Sequence, residues 1–400
     1  MEKTVKQKLL ILLKSDAAKN IFFRVRRFDY ALAAATLALS IFGVLMIHSA
    51  TNTGLAPWYS DLHANQRFYV ISGFVLLLVA SFVDYRFITR FYLLIYGLCI
   101  GLLVLVLFVG TEQTTADRWI LVPIPGTGGV SLQPSEFAKI FMIISLSKFI
   151  EIKKESFNKI LYLLLTLAAT ALPVALILRQ PSLSAGLVVA VTSFFVLFVG
   201  GLYYRTILIG AFLAAPVAVA AWLDMRRAEP LFIKDLLGTY QWQRIETYLR
   251  PVAGSDDVLQ VEQSLYAIGS GGLFGKGFGN NGFVIHGHND FIFAVTAEQF
   301  GFAGCAAVLG VVAFIIIKCV FVAIRADDLQ GRMIAAGVAG MLLFETFVNV
   351  SVSTVILPNT GMPFPFLSYG GTAMWVHMFA VGMVINIGVP REKPMFAGDG

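Results

Sequence analysis

His286-Gly287-His288-Asn289-Asp290 sets two imidazoles and a carboxylate at alternate positions of a short segment that leads into an apolar run. In an extended backbone all three would project from one face, and imidazole with carboxylate suits zinc or manganese. The same Asp290, at the border of the apolar run, could act as a general base tuned by partial burial. It could equally cap the helix that begins directly after it. Residue types alone leave these roles open.

A second cluster is Gln133-Pro134-Ser135-Glu136-Phe137-Ala138-Lys139, preceded by Arg118-Trp119. Pro134 suits the first turn of a helix, where its missing N–H costs nothing. Glu136 and Lys139 then share one face about a turn inside the membrane. Ionisable groups at that depth line a cavity or pathway, or else satisfy each other as a structural ion pair. Gly269-Ser270-Gly271-Gly272-Leu273-Phe274-Gly275-Lys276-Gly277 lacks the spacing and the preceding strand of a phosphate loop. Its glycines instead suit tight re-entrant turns at a membrane surface. The stretch from Pro358 to Thr372 holds three prolines and three glycines, so a broken, re-entrant segment is expected. Glu345 and Asn349, one turn apart, add polarity at depth or pair in helix packing.

The elements that must position these groups are membrane helices. The chain has 400 residues, 58% hydrophobic and 14% charged, with a mean hydropathy of +0.78. A soluble domain carries roughly 25% charged residues. Apolar runs predict an all-α, polytopic membrane protein of about ten transmembrane helices. The spans read Tyr30–His48, Phe68–Val83, Phe91–Val109, Phe137–Ile150, Ile160–Leu178, Leu183–Gly201, Thr206–Leu223, Gly301–Ile324, Met333–Ser351 and Thr372–Ile387. Basic residues crowd the segment before span one and the loops holding Arg86, Lys153, Arg205 and Arg325, so both termini are expected in the cytoplasm. The large loop of residues 224–290, between spans seven and eight, is then extracytoplasmic. Its Arg226, Arg227, Lys234, Arg244, Arg250 and Lys276 suit a phosphate-bearing ligand, or simply form a solvated surface.

A net charge of +6 would suggest nucleic acid in a soluble protein; here membrane topology accounts for it, and no nucleic-acid partner is expected. Cys99, Cys305 and Cys319 lie in apolar runs, against a disulfide framework and without metal spacing. Residues 1–27 lack a cleavable signal and read as a cytoplasmic, interfacial amphipathic segment. Residues 28–390 form the transmembrane domain and 391–400 a cytoplasmic tail.

From Phe28 to Pro390 the chain resembles the SEDS family (shape, elongation, division and sporulation), membrane glycosyltransferases that include RodA and FtsW. The segments that carry the resemblance are Arg118-Trp119, Gln133 through Lys139, Tyr240-Gln241-Trp242-Gln243-Arg244, Gln263 through Gly272, His288 through Phe293 with Ala297-Glu298, and Ser368-Tyr369-Gly370-Gly371. The Tyr-Gln-x-Gln-Arg and Gly-Ser-Gly-Gly forms are closer to RodA than to FtsW. The resemblance implies polymerisation of lipid II into glycan strands at the outer face of the bacterial cytoplasmic membrane, for cell elongation and shape. It implies Asp290 as the catalytic residue and Arg118, Glu136, Lys139, Arg244, His288 and Ser368 as substrate contacts. It also implies a class B penicillin-binding protein as transpeptidase partner, with membrane lipids around both. Gly337, Ala339 and Gly340 in span nine would allow a partner helix to approach.

That chemistry needs a base for the acceptor hydroxyl, which Asp290 can supply, and cations for a pyrophosphate, for which Arg118, Lys139 and Arg244 are candidates. A divalent cation, Mg2+ or Mn2+, could assist; the sequence does not specify a metal site. Three departures from the family pattern stand out: Ser182 where Asp is common, Ile285-His286-Gly287 where Pro-Glu is usual, and Gln299 in place of Glu. Ten spans with broken helices and buried charges also suit a transporter, here a lipid II flippase, although no inverted repeat is present. A non-catalytic scaffold for a cell-wall synthase is the third reading.

Overall fold

The computed structural model describes residues 24–52, 62–109, 111–112, 117–122, 130–180, 182–227, 230–237, 239–251, 255–280, 282, 284–285 and 287–390. The expected tail, His286 and most of the amphipathic N-terminal segment lie outside the described residues.

Asp29 opens α1 (Tyr30–Thr51), its carboxylate accepting the Leu32 N–H at 3.0 Å. Then come α2 (Leu62–Phe82), a short α3 (Tyr85–Arg90) and α4 (Tyr92–Val109). Three small antiparallel strands follow in the order β1-β2-β3: β1 (Thr111–Glu112), β2 (Asp117–Val122) and β3 (Val130–Leu132). The bundle continues with α5 (Pro134–Ile152), α6 (Ile160–Arg179), α7 (Leu183–Val199) and α8 (Tyr204–Met225). The long connection folds into α9 (Ile233–Leu237), α10 (Thr239–Leu249) and α11 (Asp256–Gly271). Three long helices close the chain: α12 (Ile292–Arg325), α13 (Leu329–Ser353) and α14 (Gly371–Gly388).

Among the described residues, eight helices (α1, α2, α4, α6, α8, α12, α13 and α14) are long and apolar enough to cross a membrane. The fourth and sixth expected spans fall on α5, which carries Glu136, Lys139, Lys148 and Glu151, and on α7, which has 17 residues. The expectation of an all-helical polytopic chain therefore holds, with one small sheet added. Trp119-Ile120-Leu121-Val122 is a strand-forming run whose apolarity merges with that of its neighbours in a hydropathy reading.

The interior belongs to α13 and α14, which are buried around most of their circumference, whereas the other spans bury one face or, in α8, almost nothing. In α8 the only buried residue is Asp224. The small residues of span nine correct one expectation: they face inward. A Cβ at Gly337 would lie 2.9 Å from Val196 Cγ2, and one at Gly340 only 2.3 Å from Phe195 Cδ2. They let α7 pack against α13 and offer no surface to a partner.

At the opposite end of the bundle from the long connection, Asp328 accepts the Gly331 N–H at 2.7 Å and the Tyr85 hydroxyl at 2.7 Å, and pairs with Arg86. Burial would raise its proton affinity; these donors outweigh burial and hold the carboxyl below its ordinary value. The cluster thereby ties α3 to the start of α13.

Orientation follows from the charge pattern and is directly testable. Asn280 and Lys154 are exposed at opposite ends of the bundle, and the three cysteines are buried. Asn280→Cys should react with an impermeant maleimide in intact cells, and Lys154→Cys only after permeabilisation. The reverse pattern would overturn the assigned orientation.

Candidate active site

The segment before α12 carries Asp290 into the bundle with three consecutive carbonyls that need donors. The re-entrant segment and α13 supply them. Tyr369 N–H donates to His288 O at 2.9 Å, the Ser368 hydroxyl to Asn289 O at 2.6 Å, and the Asn349 amide to Asp290 O at 2.9 Å. Each donor is itself held. Ser368 Oγ accepts the Phe364 N–H at 2.7 Å, and the Asn349 amide also donates to Met362 O at 2.7 Å. Gln66 brackets the turn, donating to Ser368 O at 3.3 Å and accepting the Gly370 N–H at 3.2 Å. Phe293 stacks on Phe364 with ring centroids 6.1 Å apart.

This clamp leaves the Asp290 side chain uncommitted. Its Oδ1 is buried without a hydrogen-bond partner. The N-cap of α12 is Phe291, with no side-chain cap bond, so Asp290 does not cap the helix. Instead it and Arg244 of α10 both flank Gly361. A Cβ on Gly361 would lie 3.0 Å from Arg244 Nη1 and 3.4 Å from Asp290 Oδ2, and Gly361 adopts φ +66°. Glycine alone fits that gap without strain. Arg244 is further fixed by donating to Asn359 O at 3.3 Å.

Beside Arg244 lies a cavity of ≈ 190 Å³. Leu183, Leu187, Phe344, Phe347 and Val348 form its apolar wall, and Arg244, Asn359 and Thr360 its polar end. Leu187 and Phe347 are themselves exposed on the lipid-facing side, so the cavity joins an apolar surface to a guanidinium. Ser184, close to the Ser182 that departs from the family pattern, donates to Thr360 O at 3.0 Å. Ser182 itself is buried at the N-cap of α7.

Glu136 and Lys139 do not line this cavity. Both are buried in a linear network that crosses three helices. Lys139 Nζ donates to Glu136 Oε2 at 2.7 Å and to Glu345 Oε1 at 2.6 Å, and His377 Nε2 lies 2.7 Å from Glu345 Oε2. Sequence reasoning had paired Glu136 with Lys139 and noticed Glu345, but it missed His377. An imidazole inside an apolar run was the available signal. Glu136, Glu345 and His377 form the only grouping of three such ligands among the described residues close enough to share a metal. The Lys139 ammonium already bonds both carboxylates there, so this donor set does not fit a cation.

The remaining expected residues lie apart from that network. Arg118 falls on β2. His288 packs its ring 6.0 Å from that of Tyr369, and Ser368 spends its hydroxyl on the main chain. The glycine-rich stretch does make close backbone turns: Lys276 N–H donates to Glu298 O at 2.9 Å, and a Cβ on Gly275 would sit 2.2 Å from Gln299 O. It docks beside the kink in α12 at Gly301 (φ +63°), where the eighth span was expected to begin. Glu298 bonds Lys276 Nζ at 2.6 Å, and Gln299 accepts from Ser49 at 3.0 Å.

The buried network makes a stability forecast. Lys139→Met would leave two buried carboxylates without their shared cation, a loss of about 3–5 kcal/mol. Thermal unfolding in detergent should show a lowered midpoint. An unchanged midpoint would mean that the network contributes nothing to the bundle.

Residues 30–393 match the FTSW_RODA_SPOVE family model, described as cell cycle protein. A probable peptidoglycan glycosyltransferase FtsW of Trichlorobacter lovleyi is 32% identical over 91% of this chain and 94% of its own length. The peptidoglycan glycosyltransferase MrdB of Escherichia coli is 33% identical over 94% of this chain and 97% of its own. Among solved structures, a chain from a peptidoglycan synthase complex that coordinates polymerization and crosslinking superposes with a TM-score of 0.72 at 28% identity, covering 90% of this chain and 97% of that one. The rod shape determining protein RodA of Thermus thermophilus superposes with a TM-score of 0.65 at 28% identity, covering 90% and 96%. The family model spans nine-tenths of the chain and relatives at 32% and 33% identity align along nearly all of it, so this protein belongs to the FtsW/RodA/SpoVE family.

Proposed function

We propose that the chain is a peptidoglycan glycosyltransferase of the bacterial cytoplasmic membrane, that it polymerises lipid II at the outer face, and that Asp290 is its general base. The observation that carries the site assignment is the opposition of Asp290 and Arg244 across Gly361. Relatives named as peptidoglycan glycosyltransferases at 32% and 33% identity support the reaction class.

Asp290 takes the proton of the acceptor sugar hydroxyl as its oxygen attacks the anomeric carbon of the donor. The new glycosidic bond forms as the bond from carbon to pyrophosphate oxygen breaks, and the electron pair leaves on the pyrophosphate. Arg244 offers N–H donors to that growing charge. Attack from the face opposite the leaving group inverts the anomeric centre, so no glycosyl-enzyme intermediate is needed. The cavity that joins Arg244 to exposed Leu187 and Phe347 suits a substrate with a polyprenyl tail and an anionic head. Arg118 is assigned to the same pyrophosphate and His288 to the sugar. Glu136 and Lys139 act through the buried network, and Ser368 through the clamp.

A Mg2+ or Mn2+ ion would supply further neutralisation of the pyrophosphate, held chiefly by the substrate's own phosphate oxygens. The synthase complex among the structural neighbours supports a crosslinking partner, which we assign as a class B penicillin-binding protein. The RodA-like forms at Tyr240–Arg244 and Gly269–Gly272 favour elongation over division.

Purified protein with its transpeptidase partner should polymerise labelled lipid II, and Asp290→Asn should abolish the product while leaving folding and partner binding intact. His286→Ala should retain most of the rate. A folded Asp290→Asn protein that polymerises at the wild-type rate would remove Asp290 from the chemistry. Lipid II translocation without any polymer would favour the flippase reading instead.

A further inference from the structure

Polar bonds hold the long connection to α8. Along this span Asp224 is the one buried residue, and most of the apolar side chains are exposed. Apolar faces gain little by packing together in lipid, so the junction at its outer end depends on what Asp224 does. Its Oδ1 accepts the Leu231 N–H at 2.9 Å; its Oδ2 accepts the N–H groups of Phe232 and Ile233 at 3.1 and 3.0 Å. These are donors at the start of α9 that no helical carbonyl satisfies.

The connection is tied a second time at the end of α10. Arg250, just beyond α10, donates to Arg226 O at 3.4 Å and also to Arg227 O. Asp224 and Arg250 thus close a ring through the end of α8, α9 and α10. The inner side of that ring is seated on the start of the re-entrant segment and the turn just before it: Arg244 donates to Asn359 O at 3.3 Å and Tyr248 to Ile356 O at 3.0 Å. Gln241 and Trp242 are buried beside them.

We propose that Asp224 is a positioning residue for Arg244: by closing this ring it fixes the guanidinium opposite Asp290 and couples the placement of span α8 to the site. The inference rests on the role given to Arg244 above. Asp224 touches neither substrate nor Asp290 and acts only through α10.

The test is steady-state polymerisation of lipid II by the protein with its partner in nanodiscs, comparing Asp224→Ala, Arg244→Ala and the double variant. If Asp224 acts through Arg244, Asp224→Ala should lower kcat by about tenfold with the same division between kcat and KM as Arg244→Ala, and the double variant should be no slower than Arg244→Ala. Wild-type kinetics in Asp224→Ala, a different division between kcat and KM, or multiplied losses in the double variant would overturn the proposal. Full activity in Arg244→Ala would instead remove the role of Arg244 itself, and the inference with it.

Should Asp224→Ala fail to accumulate, Asp224→Asn keeps one acceptor oxygen and removes the other. Nitroxides on Val217→Cys and Gln243→Cys then report the geometry without activity, because the native cysteines are buried. The distance between α8 and α10 should be narrow in the parent chain and broad in Asp224→Asn. An unchanged narrow distribution would refute the ring as a positioning device.

Discussion

A backbone carbonyl inside a bilayer has no water to bond, so a broken segment persists only where protein donors meet it. The run from His288 to Asp290, at the border of the apolar run, meets the same demand inside the bundle, and its carbonyls are claimed in turn by Tyr369, Ser368 and Asn349. Those donors come from a re-entrant stretch whose prolines and glycines preclude regular helix, and from the most buried region of the bundle. Two irregular segments thereby satisfy each other. Because the main chain of Asp290 is fixed, its side chain can remain uncommitted, which is the condition a general base requires.

Helix α13 transmits this arrangement to the rest of the protein. Glu345 and Asn349, four residues apart, lie on one face of it. Glu345 meets Lys139 of α5 and His377 of α14, whereas Asn349 holds Asp290 and Met362. The charge network is costly to bury and gains little net stability over a well-packed apolar core. It does set the relative height of three helices, because each charged atom has one place where it is paired. The apolar contacts around it, such as Val196 against Gly337, fix distance but allow sliding. A charged register beneath a polar clamp thus makes the placement of Asp290 depend on residues that never contact a substrate.

Much of this was legible in the sequence because lipid imposes few choices. Apolar runs of bilayer length marked the spans, and Gly301 was read as the start of span eight, where α12 in fact bends. Asp290 stood out as a carboxylate at an apolar border. Its clamp did not: Asn349 and Ser368 lie far from it along the chain, and only folding brings their donors to consecutive carbonyls. Gly337 and Gly340 were read on the wrong face of α13, because small residues signal close packing without saying which neighbour they meet. In the outer loop, α9 to α11 were hidden by polarity, since helices lying outside the lipid give no long apolar run. The opposition of Arg244 to Asp290 depends on the positive φ of Gly361, which no spacing rule reveals.

If the clamp is what makes Asp290 effective, its donor can be removed without touching the carboxylate. Asn349→Leu keeps the branched shape and heavy-atom count and leaves the carbonyls of Asp290 and Met362 without the amide, at a cost of about 1–3 kcal/mol for each. The decisive measurement is the single-turnover rate of lipid II polymerisation by this variant, alongside its equilibrium affinity for lipid II. A folded protein that binds lipid II normally but reacts about ten- to a hundredfold more slowly is the predicted result. A folded Asn349→Leu protein reacting at the full rate would contradict the claim that the clamp positions the base.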